Sequence, residues 1–178
     1  MESPAEQTLK LFNAMVHYDE GDAMRIQHFT KVWTYARMMG LMLQLPADVQ
    51  LITETAAIVH DIGIHMAEKK HGSSNGKYQE IEGPAEARKL LQQVGGYTEE
   101  QIQRVEYLVG HHHTYAHIDG VDYQLLVEAD FLVNLYEDNV SHDGAMHARD
   151  HIFKTKPGLQ LFDEMYATKY VTPTEKQM

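Results

Sequence analysis

The sequence predicts an all-α fold, a single-domain helical bundle, and three observations carry that prediction. Apolar residues recur three and four positions apart in segment after segment. No segment alternates apolar and polar residues as a β-strand would. Capping residues, prolines and glycines fall between the periodic stretches, where helix ends need them.

The elements follow in order. From Ala5 to Tyr18, apolar residues at Leu9, Phe12 and Val16 mark the inner stripe of a first amphipathic helix, stopped by Gly21. Asp22 caps a second helix, with Ile26, Phe29, Val32, Trp33, Ala36, Met39 and Leu43 inward and His28 on its flank. Pro46 opens a third, with Val49, Ile52, Thr55, Ala56 and Val59 inward and Gly63 as its C-terminal stop. Residues 66–80, polar and rich in Gly and Ser without a period, read as a loop. Pro84 fits the first turn of a fourth helix carrying Ala87, Leu90, Leu91 and Val94, closed by Gly95 and Gly96. Thr98-Glu99-Glu100-Gln101 has the form of a capping box and starts a fifth. On a wheel of about 100° per residue, Ile102, Val105, Leu108 and Val109 share a face, His112 falls near its centre, His113 at its edge and His111 opposite. A sixth helix, over about 122–139, turns Leu126, Ala129, Val133 and Tyr136 inward, with Asp130 beside them. Short helices follow at about 145–153 and 157–169, and residues 171–178 read as a frayed tail.

The chain has 178 residues, a length that fits one domain with a substantial core. It contains no cysteine, which excludes a disulfide framework, a thiolate metal site and a cysteine nucleophile. A metal here must be held by nitrogen and oxygen. The formal net charge of −11 argues against a nucleic-acid polymer or an anionic membrane as partner. The first residues lack the basic and apolar regions of a signal peptide, and no apolar run approaches a membrane span, so a soluble cytoplasmic protein is expected. Exposed apolar residues such as Met42, Leu43 and Tyr170 leave a homodimer as an expectation.

The count of twelve histidines is what most needs explaining. In the run Ala56-Ala57-Ile58-Val59-His60-Asp61-Ile62-Gly63, an apolar helix end delivers an imidazole and a carboxylate side by side. So apolar a run accommodates such a pair when a cation compensates the charge. Asp130, between apolar neighbours, makes the same demand. His28 taken alone reads as a hydrogen-bonded histidine on a helix flank, and His17, His71, His117, His142, His147 and His151 read as surface residues.

The set His28, His60-Asp61 and Asp130, in that order on helices of one bundle, resembles the HD-domain metal-dependent phosphohydrolase superfamily over about residues 22–139, with C-terminal helices at about 142–169 beyond. The resemblance implies that these four residues bind a divalent metal (Mn, Fe, Co, Ni, Zn or Mg), one or two per chain. It implies hydrolysis of a phosphate ester or anhydride of a small nucleotide-like molecule by a water that the metal activates, with Asp61 as ligand and catalytic residue. Two-metal members add a histidine from a His-Gly-Pro segment and another from the end of the fifth helix. Here the first segment reads Glu82-Gly83-Pro84, so Glu82 stands where histidine is usual; His112 matches the second, with His111 or His113 within reach. The layout is similar to HD proteins that hydrolyse dinucleoside polyphosphates. It lacks the lysine and Gly-Tyr-Pro of the cyclic-dinucleotide branch, and Ile64 stands where single-metal nucleotidases carry an acid. Lys69, Lys70 and Lys77 read either as phosphate-binding residues or as a solvated loop face. The alternative to an enzyme is a catalytically weak metal- or nucleotide-binding regulatory domain.

Overall fold

A computed structural model of the chain describes residues 3–167. Among them the protein is all-α and contains no strand. The helices are α1 (Pro4–Tyr18), α2 (Ala23–Met42), α3 (Ala47–Val59), α4 (Ile64–His71), α5 (Gly76–Val94), α6 (Glu99–Val109), α7 (Val121–Glu137), α8 (His142–Ile152) and α9 (Lys156–Phe162), the last continuing as a π-helical segment, Asp163–Ala167. No described helix is long and apolar enough to cross a membrane.

Local chemistry explains most of the helix starts. Ser3 and Glu6 form a capping box on α1, Asp22 accepts from the Arg25 backbone N–H at the head of α2, and Thr98 with Gln101 forms the predicted box on α6. Helix α3 lies at the centre, packed against α1, α2, α6 and α7, and every residue from Thr53 to Val59 is buried. Ala56, Ala57, Ile58 and Val59 are fully enclosed. Burial of an Ile or Val side chain contributes about 1.5–3 kcal/mol, so the helix end that precedes His60 is among the firmest places in the chain. The C-terminal helices are tied to α7 through Glu128, which is fully buried and accepts from the backbone N–H groups of Lys154 (2.6 Å) and Thr155 (2.9 Å).

Several expectations are corrected. Residues 66–80 are not a loop. Most of the stretch is helical, with α4 ending in the left-handed Gly72 (φ 65°) and α5 starting at Gly76 behind the Asn75 cap. The short α4 buries only Ile64 and Ala67, too few apolar residues to show a period. Pro84 therefore lies inside α5 and not in its first turn. Gly63 is not a left-handed stop: its φ is −70°, and it joins the turn after α3 directly to α4. In α1 the buried apolar residues are Leu11 and Met15, while Leu9 is exposed; Tyr136 on α7 is exposed as well. Leu43 is also exposed, at the end of α2. The tail 171–178, Tyr170 and the end of the 157–169 helix lie outside the described residues.

Candidate metal centre

Helices α2 and α7 and the turn after α3 bring His28, Asp130, His60 and Asp61 to one point. His28 Nε2 lies 3.2 Å from His60 Nε2, 3.3 Å from Asp130 Oδ1 and 3.5 Å from Asp61 Oδ2. His60 Nε2 lies 3.6 Å from Asp130 Oδ1 and 3.5 Å from Asp61 Oδ2. A tetrahedral ion with bonds of about 2.0–2.2 Å separates its ligand atoms by about 3.3–3.6 Å; His28, His60 and Asp130 offer three mutually close ligand atoms at about that spacing, and Asp61 Oδ2 lies equally near both histidines.

The orientation of each imidazole is fixed from behind. His28 donates through Nδ1 to Glu137 Oε2 (2.7 Å) and His60 through Nδ1 to the Ala57 carbonyl (2.9 Å). Both rings therefore turn Nε2 inward, the nitrogen through which a histidine held from behind in this way coordinates a metal. Asn134 Nδ2 donates to Asp130 Oδ1 (2.9 Å) and steadies that carboxylate.

The charges are arranged for the same purpose. Burial alone would push both carboxyls up. For Asp61 the neighbouring His60 and His112 outweigh it, and for Asp130 the bonds from His28 and His60 do, so both are held well below the usual carboxylate range. Burial alone would push His28 down, yet Asp130, Asp61 and Glu137 raise it to about 9. Without a cation, the centre holds a proton there that an incoming metal must displace.

A second group adjoins the first. Asp61, His112 and His113 each offer a ligand atom within 4.8 Å of the others. His112 is fully buried and donates through Nδ1 to the Val109 carbonyl (2.8 Å); Asp61 keeps its pKa raised against the opposing effect of burial. Burial and the proximity of His112 lower His113 to about 4, which keeps it neutral.

Other sequence-predicted residues are placed elsewhere. His111 stacks on Tyr107 and bonds its carbonyl through Nδ1 (2.7 Å). Glu82 is held by Lys70 (2.6 Å) and His71 (2.9 Å) on α4. Neither joins a group of convergent ligand atoms among the described residues. Lys69, Lys70 and Lys77 do not line the cleft described next.

That cleft, about 690 Å³ in volume, opens over His28 and Asp61, and its cations are Arg25 and Lys31. They stand three residues either side of His28 on α2, so about one turn separates each from the ligand. Arg25 pairs with Glu68 (2.7 Å) and Lys31 with Glu137. A readable signal marked them: Arg25, His28 and Lys31 repeat every three residues, and Asp130, Asn134 and Glu137 follow i, i+4, i+7.

Glu137→Ala removes the group that orients His28. Loss of such a partner weakens a metal site about 10–100-fold. Titration with Mn²⁺ followed by calorimetry is expected to show that loss, and an unchanged dissociation constant would place Glu137 outside the centre.

Residues 25–151 match the HD-domain family. No curated protein and no solved structure matches the chain.

Proposed function

The chain belongs to the HD-domain family, whose members are generally metal-dependent hydrolases, and from that membership we propose that it hydrolyses phosphate esters or anhydrides of a small nucleotide-like substrate. The observation that carries the reading is that Nε2 of His28 and of His60 lie 3.2 Å apart and each within 3.6 Å of a carboxylate oxygen of both Asp61 and Asp130. A divalent cation held by these residues supplies a Lewis acid for phosphoryl oxygens and lowers the pKa of an adjacent water.

The chain's own groups do the rest. His60 and Asp130 are buried, whereas Asp61 and His28 reach the cleft, so water and substrate meet the centre on the Asp61 side. Asp61 stays ionised and accepts a hydrogen bond from the attacking water, which fixes its direction. Arg25 and Lys31 exchange their carboxylate partners for phosphate oxygens, and the guanidinium can grip two at once. Glu68, Glu137 and Asp138 also line the cleft and make it acidic, so an anionic substrate enters when a cation offsets them. The volume suits a single nucleotide-sized molecule.

A second reading, a catalytically weak binding domain, draws on Ile64. This residue lines the cleft wall where an acid is usual, and Glu68 and Glu137 on that wall are already ion-paired. One experiment decides between the two. Purified protein is stripped with chelator, reconstituted with Mn²⁺, and assayed for phosphate release from nucleoside mono-, di- and triphosphates, cyclic nucleotides and dinucleoside polyphosphates. Turnover restored by Mn²⁺ is the expected result. Bound Mn²⁺ without turnover on any substrate would favour the binding domain.

A further inference from the structure

We propose that Asp19 and His65 are positioning residues, a brace that sets Arg25 for a phosphate group in the cleft and acts through that guanidinium alone. The inference deepens the proposed function and rests on its reading of Arg25 as a residue that grips phosphate.

The first observation is a chain of two hydrogen bonds that runs from a buried carboxylate to the cleft. Asp19 closes α1 and is only 3 % exposed. Its Oδ1 lies 2.8 Å from Nε2 of His65, in the first turn of α4, and Nδ1 of the same ring lies 3.1 Å from Nη1 of Arg25 on α2. A guanidinium only donates, so Nδ1 accepts from Arg25, the ring proton sits on Nε2, and Nε2 donates to Asp19. Asp19 thereby favours the one tautomer that offers a lone pair to Arg25.

The second is the division of partners between the two ends of the guanidinium. Nη1 is held by His65 and by Asp22 Oδ2 (3.3 Å), whereas Nη2 is held by Glu68 Oε1 (2.7 Å). The Glu68 side chain is 46 % exposed and lines the cleft. A phosphate that enters therefore displaces Glu68 from Nη2 and leaves Nη1 anchored. An arginine fixed at one end beforehand gives up less rotamer freedom when its other end grips an anion.

The third is that the brace is itself held firm, outside the metal ligands. The Tyr18 hydroxyl donates to the Ile62 carbonyl (3.2 Å), and the Tyr18 ring lies 5.4 Å from that of His65. Asp19 is fixed in turn by its backbone, whose carbonyl accepts from the Asp22 N–H (2.9 Å). Two neighbouring residues at the end of α1 thus grip the chain just beyond the His60-Asp61 doublet. Lys31, the other cation of the cleft, is tied differently: its partner Glu137 also orients His28. The hold on Arg25 can be altered with the metal ligands left in place.

The test is calorimetric titration of inorganic phosphate into Mn²⁺-reconstituted protein, with Mn²⁺ content measured on the same samples. His65→Gln can still donate to Asp19 from the position of Nε2 but loses the acceptor at Nδ1, and it is expected to weaken phosphate about tenfold, the size of a lost hydrogen bond to a charged group. His65→Asn keeps an acceptor at the position of Nδ1 and releases Asp19, and it is expected to retain most of the affinity. A merely structural tie between α1 and α4 would give the reverse order and would overturn the brace. Asp19→Asn leaves the ring in place but no longer favours one tautomer; its expected loss is smaller than tenfold, and it covers the case in which His65→Gln fails to fold. His65→Gln added to Arg25→Ala is expected to cost nothing further, because the effect passes through Arg25. Unchanged affinity in both His65→Gln and Asp19→Asn, a further loss in the double variant, or a fall in Mn²⁺ content would overturn the brace and leave the proposed function standing. Mn²⁺-loaded wild type that binds no phosphate would overturn the phosphate reading of the cleft as well.

Discussion

Asp61→Ala is expected to leave the purified chain almost free of cation and to cut phosphate release by on the order of 10³-fold or more. The size follows from what a cation contributes: several kcal/mol of transition-state stabilisation, at about 1.4 kcal/mol per factor of ten. The loss is larger than for the other ligands because Asp61 alone touches both groups, through Oδ2 to His28 and His60 and through Oδ1 to His112. It is also the carboxylate of the centre that faces the cleft. Asp61→Asn keeps the shape and removes the charge, so a matching loss there assigns the effect to ligation and not to a cavity. Elemental analysis and turnover on the same samples, with circular dichroism as the check on folding, measure the outcome. Unchanged cation content with full activity in either variant would end the metal-hydrolase reading.

Of the first centre, His60, Asp61 and Asp130 were legible from local features, whereas His28 joined them only through the family resemblance. The doublet His60-Asp61 closes an apolar helix, and Asp130 sits in an apolar stretch, and both features stand out without knowledge of packing. The second group was harder to read. The wheel for α6 ran through Gly110 as though the helix continued, but α6 stops at Val109, and what directs His113 is Glu80, 33 residues earlier. No periodicity records such a contact. Glu82 was drawn toward the site by the resemblance, because Glu82-Gly83-Pro84 stands where two-metal members carry His-Gly-Pro, and Pro84 was expected to open the helix. With the helix starting at Gly76, Glu82 is an interior residue whose direction is fixed by the helical repeat. Among the helices, α4 was missed for a compositional reason: six of its eight residues stay out of the core, and its apolar signal is two side chains. Leu9 misled because Phe12 and Val16 share its stripe at the edge of the core, while Leu11 and Met15 lie at its middle.

Gly63→Ala is expected to destabilise the fold by about 3 kcal/mol, lowering the melting temperature by roughly 6–12 °C for a chain of this size, and to weaken cation binding in parallel. Backbone conformation is not the cause, since φ at Gly63 is −70°, which alanine adopts freely. The cause is contact. An added Cβ would lie 2.6 Å from the Gln79 carbonyl oxygen, 2.8 Å from Gly83 N and 2.9 Å from Gly83 Cα. All three are backbone atoms of α5, so no side chain can rotate to make room. Helix α5 is confined on its other side too: a Cβ on Gly83 would meet Val109 Cγ1 of α6 at 2.6 Å. The methyl group therefore pushes apart α5 and the turn that carries His60 and Asp61, which is why stability and cation affinity fall together. Gly72→Ala separates this account from one based on backbone strain. Gly72 has φ of 65° and nothing within 4 Å of an added Cβ, so alanine there pays only for the left-handed conformation, about 1–2 kcal/mol, and leaves the metal centre alone. Thermal unfolding of the two variants, each with and without Mn²⁺, tests the difference. If Gly63→Ala were no less stable than Gly72→Ala and bound Mn²⁺ as wild type does, the close packing of α5 on the His-Asp turn would not be what holds the site in place.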